Sequence, residues 1–173
     1  RKYVLAVAGI DQLKQYGNQH GKAVSEQMLR LIAPKIMAAA GGGKVHRLAG
    51  EEFTIVFQRK TATETLANLE SIRKAVEEAD LCLRGCERVW ERGTTARRKS
   101  RDVSLPATVS IGIAESGDAR PSLAQVTKAA YRALYEAKGE GGNRVKRGTV
   151  SADVSNASPA ASGRVMADSK FEP

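Results

Sequence analysis

Two short runs of β-prone residues, 44–48 and 53–57, are joined by only four residues, and this limits the possible folds more than any other feature. Parallel strands need a crossover of a dozen or more residues, so the two runs must form an antiparallel hairpin. The connection ends in Gly50, Glu51 and Glu52, which places a glycine and two carboxylates at the hairpin tip. The fold must therefore contain an antiparallel sheet.

Other strand and helix patterns surround this hairpin. Strand-like runs cover residues 3–8, 80–83, 105–114 and 143–146, and apolar residues at helical spacing cover 22–37, 63–77 and 122–138. Pro34 should kink or divide the first helix, Thr61 or Thr63 should cap the second, and Ser122 should cap the third. The order β, α, β, β, α, β, α predicts an α+β, ferredoxin-like class, with helices packed on one face of an antiparallel sheet.

Length and charge limit the domain organisation and the classes of partner. A chain of 173 residues predicts one domain, here over residues 1–147, followed by a polar, disordered tail over 148–173. The net charge is +9, and residues 84–101 hold seven basic side chains against two acidic ones. We interpret this stretch as a basic insertion of weak order at about 84–104. It contains one aromatic residue, Trp90, unlike the basic grooves with interleaved aromatics that bind nucleic acid.

The sequence also bears on location. No apolar run approaches the roughly 20 residues that a membrane span needs, and the two cysteines show no metal-binding or redox spacing. These features favour the cytoplasm. The chain starts at Arg1 and enters a strand almost at once, so we expect a piece of a longer protein whose missing upstream segments would carry any membrane anchor.

Three polar clusters could carry chemistry. The paired carboxylates at the hairpin tip suit Mg²⁺, which takes hard oxygen ligands, although the hairpin alone favours a simpler explanation, a solvated tip whose charges aid solubility. The turn over residues 9–14 offers main-chain amides and Lys14 to phosphate groups. Lys138, followed by three glycines within four residues, ends the last helix. From the residues alone, each cluster has an ordinary structural explanation.

Together these clusters resemble the GGDEF-type diguanylate cyclase domain from residue 3 to about 145. Such domains have a nucleotidyl-cyclase-like α+β fold, and two of them, each holding GTP with Mg²⁺, join the nucleotides into cyclic di-GMP. The matching segments are IDQLK at 10–14, Gly21 with Ser25, Glu26 and Leu29, RLAGEEF at 47–53, TVSIGIA at 108–114, and ALYEAK at 133–138 leading to Gly141 and Asn143.

The resemblance implies a role for each matching position. Glu51 and Glu52 would be catalytic, and Glu51 and Ile10 would bind the metal. The nucleotide-binding positions would be Gln12, Leu13, Lys14, Glu26, Gly50 and Lys138. The implied cofactor is Mg²⁺ when nucleotide is bound. The implied partners are GTP and either a second copy of the domain or another signalling domain.

The sequence departs from the family pattern at several of these positions. The first metal aspartate is Gly9, the guanine-reading asparagine is Gly17, and its partner aspartate is Glu26. The first glycine of the signature is Ala49, and the arginine of the last motif is Gly142. One of the two metal-binding carboxylates is therefore absent, and base recognition has lost a hydrogen-bonding side chain.

These departures favour a degenerate domain that is catalytically impaired and acts as a regulatory or interaction module with weak GTP binding. The product-inhibition motif would fall at Ala40 and Gly43, so no feedback site of that type is expected. Two alternatives stay open. One is an active cyclase in which Asp11 or a water replaces the missing ligand. The other is a nucleic-acid-binding module that uses the basic insertion.

Overall fold

The computed structural model describes residues 2–79, 81–89, 99–117 and 121–150, and these residues form strands and helices in alternating groups. In chain order the elements are β1 (Tyr3–Ile10), α1 (Leu13–His20), α2 (Lys22–Ala39), β2 (Lys44–Ala49), β3 (Glu52–Gln58), α3 (Ala62–Glu77), β4 (Leu81–Val89), β5 (Lys99–Leu105), β6 (Val109–Glu115), α4 (Leu123–Gly139) and β7 (Val145–Arg147).

A five-stranded sheet with the strand order β2-β3-β1-β6-β7 forms the centre of the fold. Strand β1 runs antiparallel to both of its neighbours, β3 and β6, whereas β7 joins β6 in parallel. The predicted hairpin is confirmed as β2 and β3. The predicted α+β class is also confirmed, but the sheet is mixed because its last strand is parallel.

Helices cover both faces of this sheet, so the prediction that they pack on one face was wrong. One face of β1 packs into a large apolar core with α2 and α3, and the other face packs against α4. Residues on both faces of β1 are therefore buried, and its sequence is a nearly continuous apolar run. Strand β3 keeps the alternation of Phe53, Ile55 and Phe57 inward that the sequence shows.

Sequence signals for helix starts agree with the structure for α3 and α4. The Thr61 side chain accepts a hydrogen bond from the Glu64 amide, and the Glu64 carboxylate accepts one from the Thr61 amide. Ser122 and Gln125 make the same reciprocal pair at the start of α4. Each capping box satisfies main-chain amides that have no partner within the helix, which fixes where the helix begins.

Two helices differ from the sequence-based expectation. Helix α1 was not predicted, because Gly17 and its polar neighbours give little apolar periodicity and Leu13 is its one buried side chain. Helix α2 runs without a break through Pro34, which was expected to kink or divide it. Ile32 and Ile36 on either side of the proline are fully buried, so tertiary packing stabilises this turn of the helix.

The basic segment is less irregular than the sequence predicts. Strands β4 and β5 form a separate antiparallel ribbon that includes residues 84–89 and 99–104, with Glu87 opposite Arg101. The centre of the insertion, 90–98, and the tail from 151 onward lie outside the described residues. Within the described ranges, no helix is both long and apolar enough to cross a membrane.

Candidate functional site

The tip of the β2–β3 hairpin lies beside the end of β1. Gly9 is paired with Glu52 across the sheet, and the Ile10 amide donates to the Glu51 carbonyl at 3.4 Å. Gly50 has a φ of +59°, a left-handed conformation that glycine adopts without strain. The Arg47 guanidinium donates to the Gly50 carbonyl at 3.0 and 2.8 Å, which ties the tip to its own strand.

Lys138 reaches this tip from the last turn of α4. Its Nζ donates to the Ile10 carbonyl oxygen at 3.3 Å and lies 3.7 Å from Glu51 Oε1. The exposed fractions of the two side chains are 27% for Lys138 and 36% for Glu51, so the pair is partly shielded from water. The structure thus brings together three of the positions identified in the sequence.

Glu52, the neighbouring carboxylate, makes a separate contact. The Tyr131 hydroxyl donates to Glu52 Oε2 at 2.9 Å. Burial and then this carboxylate raise the pKa of Tyr131 above its ordinary value. Sequence reasoning missed Tyr131, although it precedes Lys138 by seven residues, or two helical turns, and that spacing places both side chains on one side of α4.

The Asp11 carboxylate accepts hydrogen bonds from three other residues, and sequence reasoning also missed this structural role. Its Oδ1 accepts from the Ser110 hydroxyl at 2.7 Å, and its Oδ2 accepts from the Thr108 hydroxyl at 2.7 Å and from the Asn143 amide at 2.9 Å. Asn143 has a φ of +50°, a conformation for which asparagine is favoured among residues with a side chain. These three donors tie the end of β1 to β6 and to the loop after α4. This geometry argues against Asp11 as a substitute metal ligand.

The first turn of α1 provides the predicted main-chain amides of Gln12, Leu13 and Lys14. Gln12 precedes the helix with a φ of +56°, and its carbonyl accepts from the Tyr16 amide at 3.0 Å. Leu13 is buried and anchors the turn, whereas the Lys14 side chain is exposed. Amides in the first turn of a helix have no partner within the helix and favour negative charge. The turn therefore presents donors next to Ile10.

The positions expected to read the base meet where α1 faces α2. A Cβ added at Gly17 would lie 3.2 Å from the Ser25 hydroxyl, and Glu26 follows Ser25 with an exposed side chain. Position 17 therefore faces Ser25, the residue before Glu26, across the α1–α2 contact. Gly17 itself offers no side-chain donor or acceptor.

Comparison with known proteins identifies the chain. Residues 1–144 match the family described as "Diguanylate cyclase, GGDEF domain". The chain belongs to the GGDEF family. The chain is 28% identical over 137 residues to diguanylate cyclase A of Treponema denticola, covering 79% of this chain and 32% of that protein. Diguanylate cyclase VdcA of Vibrio cholerae is 28% identical over 144 residues, covering 82% of this chain and 38% of that protein. The chain spans about a third of the length of these relatives.

Solved GGDEF structures show the same fold. The GGDEF domain of DgcB from Caulobacter crescentus in complex with c-di-GMP matches with a TM-score of 0.66 and 31% identity, over 84% of this chain and 77% of that one. The active GGEEF domain of a diguanylate cyclase from Vibrio cholerae matches with a TM-score of 0.68 and 20% identity, over 87% and 85% of the two chains. The domain is therefore a nucleotidyl-cyclase-like member of the cyclic di-GMP signalling families.

The donor set at the hairpin tip does not fit the Mg²⁺ that diguanylate cyclases use. Mg²⁺ requires several oxygen ligands, usually with one or two protein carboxylates among them. Here Glu51 and the Ile10 carbonyl supply oxygen atoms, Gly9 supplies no side chain, and the Lys138 ammonium lies against both oxygens. Across the described residues, no group of three or more His, Cys, Asp or Glu side chains is arranged to hold a metal ion.

Proposed function

We propose that this GGDEF domain is a degenerate member of the family that binds GTP weakly, makes little cyclic di-GMP, and acts as a regulatory or interaction module. One observation carries the proposal. At the end of β1 a glycine stands in place of the family's metal-binding aspartate, and a lysine ammonium contacts the two oxygen atoms beside it. This arrangement opposes the binding of a divalent cation.

The expected size of the loss supports low activity. Loss of a metal-binding carboxylate removes several kcal/mol of positioning and charge stabilisation, and about 1.4 kcal/mol corresponds to a tenfold change in rate. A guanine base that finds no hydrogen-bonding side chain at position 17 loses roughly 1 to 3 kcal/mol more of binding free energy. The two losses together reduce turnover by several powers of ten.

The parts of the site that do not depend on these two side chains are intact. Glu51 and Gly50 are at the hairpin tip, Lys138 is beside them, and α1 with its first-turn amides begins three residues after Ile10. A phosphate group placed here would meet an ammonium and a helix N-terminus, both of which favour negative charge. These features support weak binding of GTP by a domain that condenses it poorly.

The feedback site of the family is proposed to be absent as well. Ala40 is buried, and a Cβ added at Gly43 would lie 2.7 Å from Ile55 and from Phe57. The two positions therefore have no room for an arginine and an aspartate without repacking of the core. Cyclic di-GMP should not inhibit or bind the domain through these positions.

A regulatory module needs a partner, and two kinds fit the family. A second copy of the domain is one, and another signalling domain or protein is the other. Diguanylate cyclase SiaD of Pseudomonas aeruginosa has been solved in complex with its activator SiaC, so at least one structural neighbour is regulated through a bound protein. We place this domain in the cytoplasm, where GTP is available.

The test is turnover and binding by the purified full-length protein. Cyclic di-GMP formation from GTP and Mg²⁺ is measured by chromatography, and GTP affinity is measured by calorimetry. We expect negligible product and weak binding. Turnover at the level of an active diguanylate cyclase measured in parallel would contradict the degenerate assignment and favour the active alternative.

A further inference from the structure

The Lys138 ammonium contacts one oxygen atom of each of two candidate metal-binding residues, Ile10 at the end of β1 and Glu51 at the hairpin tip. It is 3.3 Å from the Ile10 carbonyl and 3.7 Å from Glu51 Oε1. We propose that this ammonium is the resident cation of the site and that it takes the position of a divalent metal ion, so that phosphate groups bind here without metal. The nucleotide part of this inference rests on the proposed function. The exclusion of metal does not.

The balance of charge supports a resident ammonium. Glu51 contributes one negative charge and Lys138 one positive charge, so the pair is neutral before any ion arrives. A divalent cation about 4 Å from an ammonium is repelled, and this repulsion offsets its attraction to the single carboxylate. A carboxylate at position 9 would add a second negative charge, which would favour a divalent ion over the resident ammonium.

The available space links Lys138 to the glycine at position 9. A Cβ added at Gly9 would lie 3.0 Å from both Cε and Nζ of Lys138, and 3.4 Å from Leu134 Cδ2. The φ of Gly9 is not positive, so its backbone accepts a side chain, and only the lysine would have to move. The lysine therefore occupies space that a side chain at position 9 would take. The Lys138 ammonium can lie where it does because position 9 has no side chain, and a carboxylate at position 9 would displace it.

The helix that carries Lys138 is held rigidly against the sheet. Ala130, Ala133, Leu134 and Ala137 of α4 are buried, and a Cβ added at Gly112 of β6 would lie 2.1 Å from the Ala130 carbonyl oxygen. This close approach of helix and strand fixes the height of the last turn of α4 above β1. The backbone of Lys138 therefore has a fixed position relative to β1, and the ammonium reaches the Ile10 carbonyl from there.

A metal-free triphosphate keeps its full negative charge and needs donors in place of the metal. Lys138 supplies a cation at the Ile10 carbonyl, and the first turn of α1, which starts three residues later along the chain, supplies amides. Ammonium groups and helix N-termini are both recognised phosphate-binding groups. The chemical class of ligand is therefore a nucleoside polyphosphate that is not bound to a divalent ion.

The first arm of the test uses metal alone. Mn²⁺ is titrated into the full-length protein and followed by electron paramagnetic resonance, for the parent, Gly9→Asp, Lys138→Met and the double variant. We expect no saturable binding by the parent, and binding by the double variant at least about tenfold tighter than by Gly9→Asp, because a repelling unit charge has been removed. Saturable binding of Mn²⁺ by the parent, with the same affinity as the double variant, would overturn the inference.

The second arm uses GTP with EDTA and GTP with Mg²⁺. Binding to the parent should be equal or tighter in EDTA, Lys138→Met should weaken it at least about tenfold, and Lys138→Arg should retain it, since the charge is kept. Lys128→Met, an exposed lysine on the same helix, is the matched control and should bind as the parent does. GTP binding by the parent that requires Mg²⁺ would refute the metal-free site.

The two arms separate the inference from the proposed function. If the parent binds no GTP in either buffer, the phosphate part of the inference and the weak GTP binding of the proposed function are both wrong. The Mn²⁺ titration then still decides whether Lys138 occupies the metal position. Circular dichroism of each variant verifies that a loss of binding is not a loss of fold.

Discussion

Two acidic residues near the end of β1, Asp11 and Glu51, have very different surroundings. Asp11 accepts three hydrogen bonds from Thr108, Ser110 and Asn143, each at 2.7 to 2.9 Å. Glu51 is at an exposed hairpin tip and is 3.7 Å from one lysine. The first arrangement joins three parts of the chain, and the second joins two side chains of the candidate site. The comparison shows that the hydrogen bonds that connect the fold at this edge are complete, whereas the carboxylate that the family pattern has at position 9 is absent.

Removal of the Asp11 carboxylate should give the largest effect. Asp11→Ala leaves three donors without an acceptor, and hydrogen bonds to charged groups contribute roughly 1.5 to 3 kcal/mol each, only partly additively. We expect the free energy of unfolding to fall by about 3 kcal/mol in urea titrations. The matched variant is Glu51→Ala, which removes a partly exposed ion pair and should cost less than about 1 kcal/mol. Equal losses for the two variants would remove the distinction between the regions.

Restoring the family's side chains should improve the weaker region. Gly9→Asp combined with Gly17→Asn supplies the missing carboxylate and a base-reading amide, and Lys138 and Ser25 must each shift to make room. We expect Mg²⁺-GTP to bind about tenfold more tightly, equivalent to about 1.4 kcal/mol, by calorimetry. The stability of the Asp11 region should not change, so urea titration of the double variant provides the control. Unchanged affinity would show that the site has lost more than these two side chains.

The contact between Tyr131 and Glu52 is expected to have an intermediate effect. Tyr131→Phe removes one hydrogen bond and should lower the free energy of unfolding by about 1 kcal/mol at neutral pH. Because folding raises the pKa of Tyr131, its contribution is complete below the ordinary tyrosine pKa of about 10 and is lost as the pH rises through the raised value. The difference between parent and variant should therefore narrow above about pH 10 in urea titrations. If the difference in the free energy of unfolding between parent and variant stays constant in this alkaline range, the loss of stability comes from packing and not from the hydrogen bond.

The smallest effect should come from Glu77, which supports the Asp11 region from outside. Its carboxylate accepts from the Asn143 side chain at 2.7 Å and from Arg73 at 2.7 Å. The hydrogen bond from Asn143 and then that from Arg73 lower the pKa of Glu77. Its contribution is therefore present above the ordinary glutamate pKa and is lost as the pH falls through the lowered value. Glu77→Gln should be slightly less stable than the parent at neutral pH, and the two should converge in acid. A difference in stability between parent and Glu77→Gln that grows as the pH falls would contradict a stabilising role for the Glu77 carboxylate.

Much of the fold could be predicted from the sequence because the decisive signals are local. The hairpin follows from a connection of four residues, and the starts of α3 and α4 follow from Thr61 and Ser122 with their partners three residues later. Helix α1 could not be predicted, since Gly17 and its polar neighbours give no apolar face and Leu13 alone anchors it. Helix α2 continues through Pro34 because buried neighbours stabilise it, and burial is not visible in a local pattern.

The sequence by itself determined which side chains the candidate site contains and which it lacks, because residue identity sets charge and hydrogen-bonding capacity wherever the chain folds. Gly9, Gly17, Glu51 and Lys138 were all identified at that level. Only the tertiary structure decided what these residues do to one another. The Asp11 carboxylate accepts hydrogen bonds from three donors, and the Lys138 ammonium contacts Ile10 and Glu51. Both arrangements exist because β1, β6 and α4 meet there from distant parts of the chain. Contacts between residues 87 to 132 positions apart depend on how the sheet and helices pack, which a local pattern does not specify.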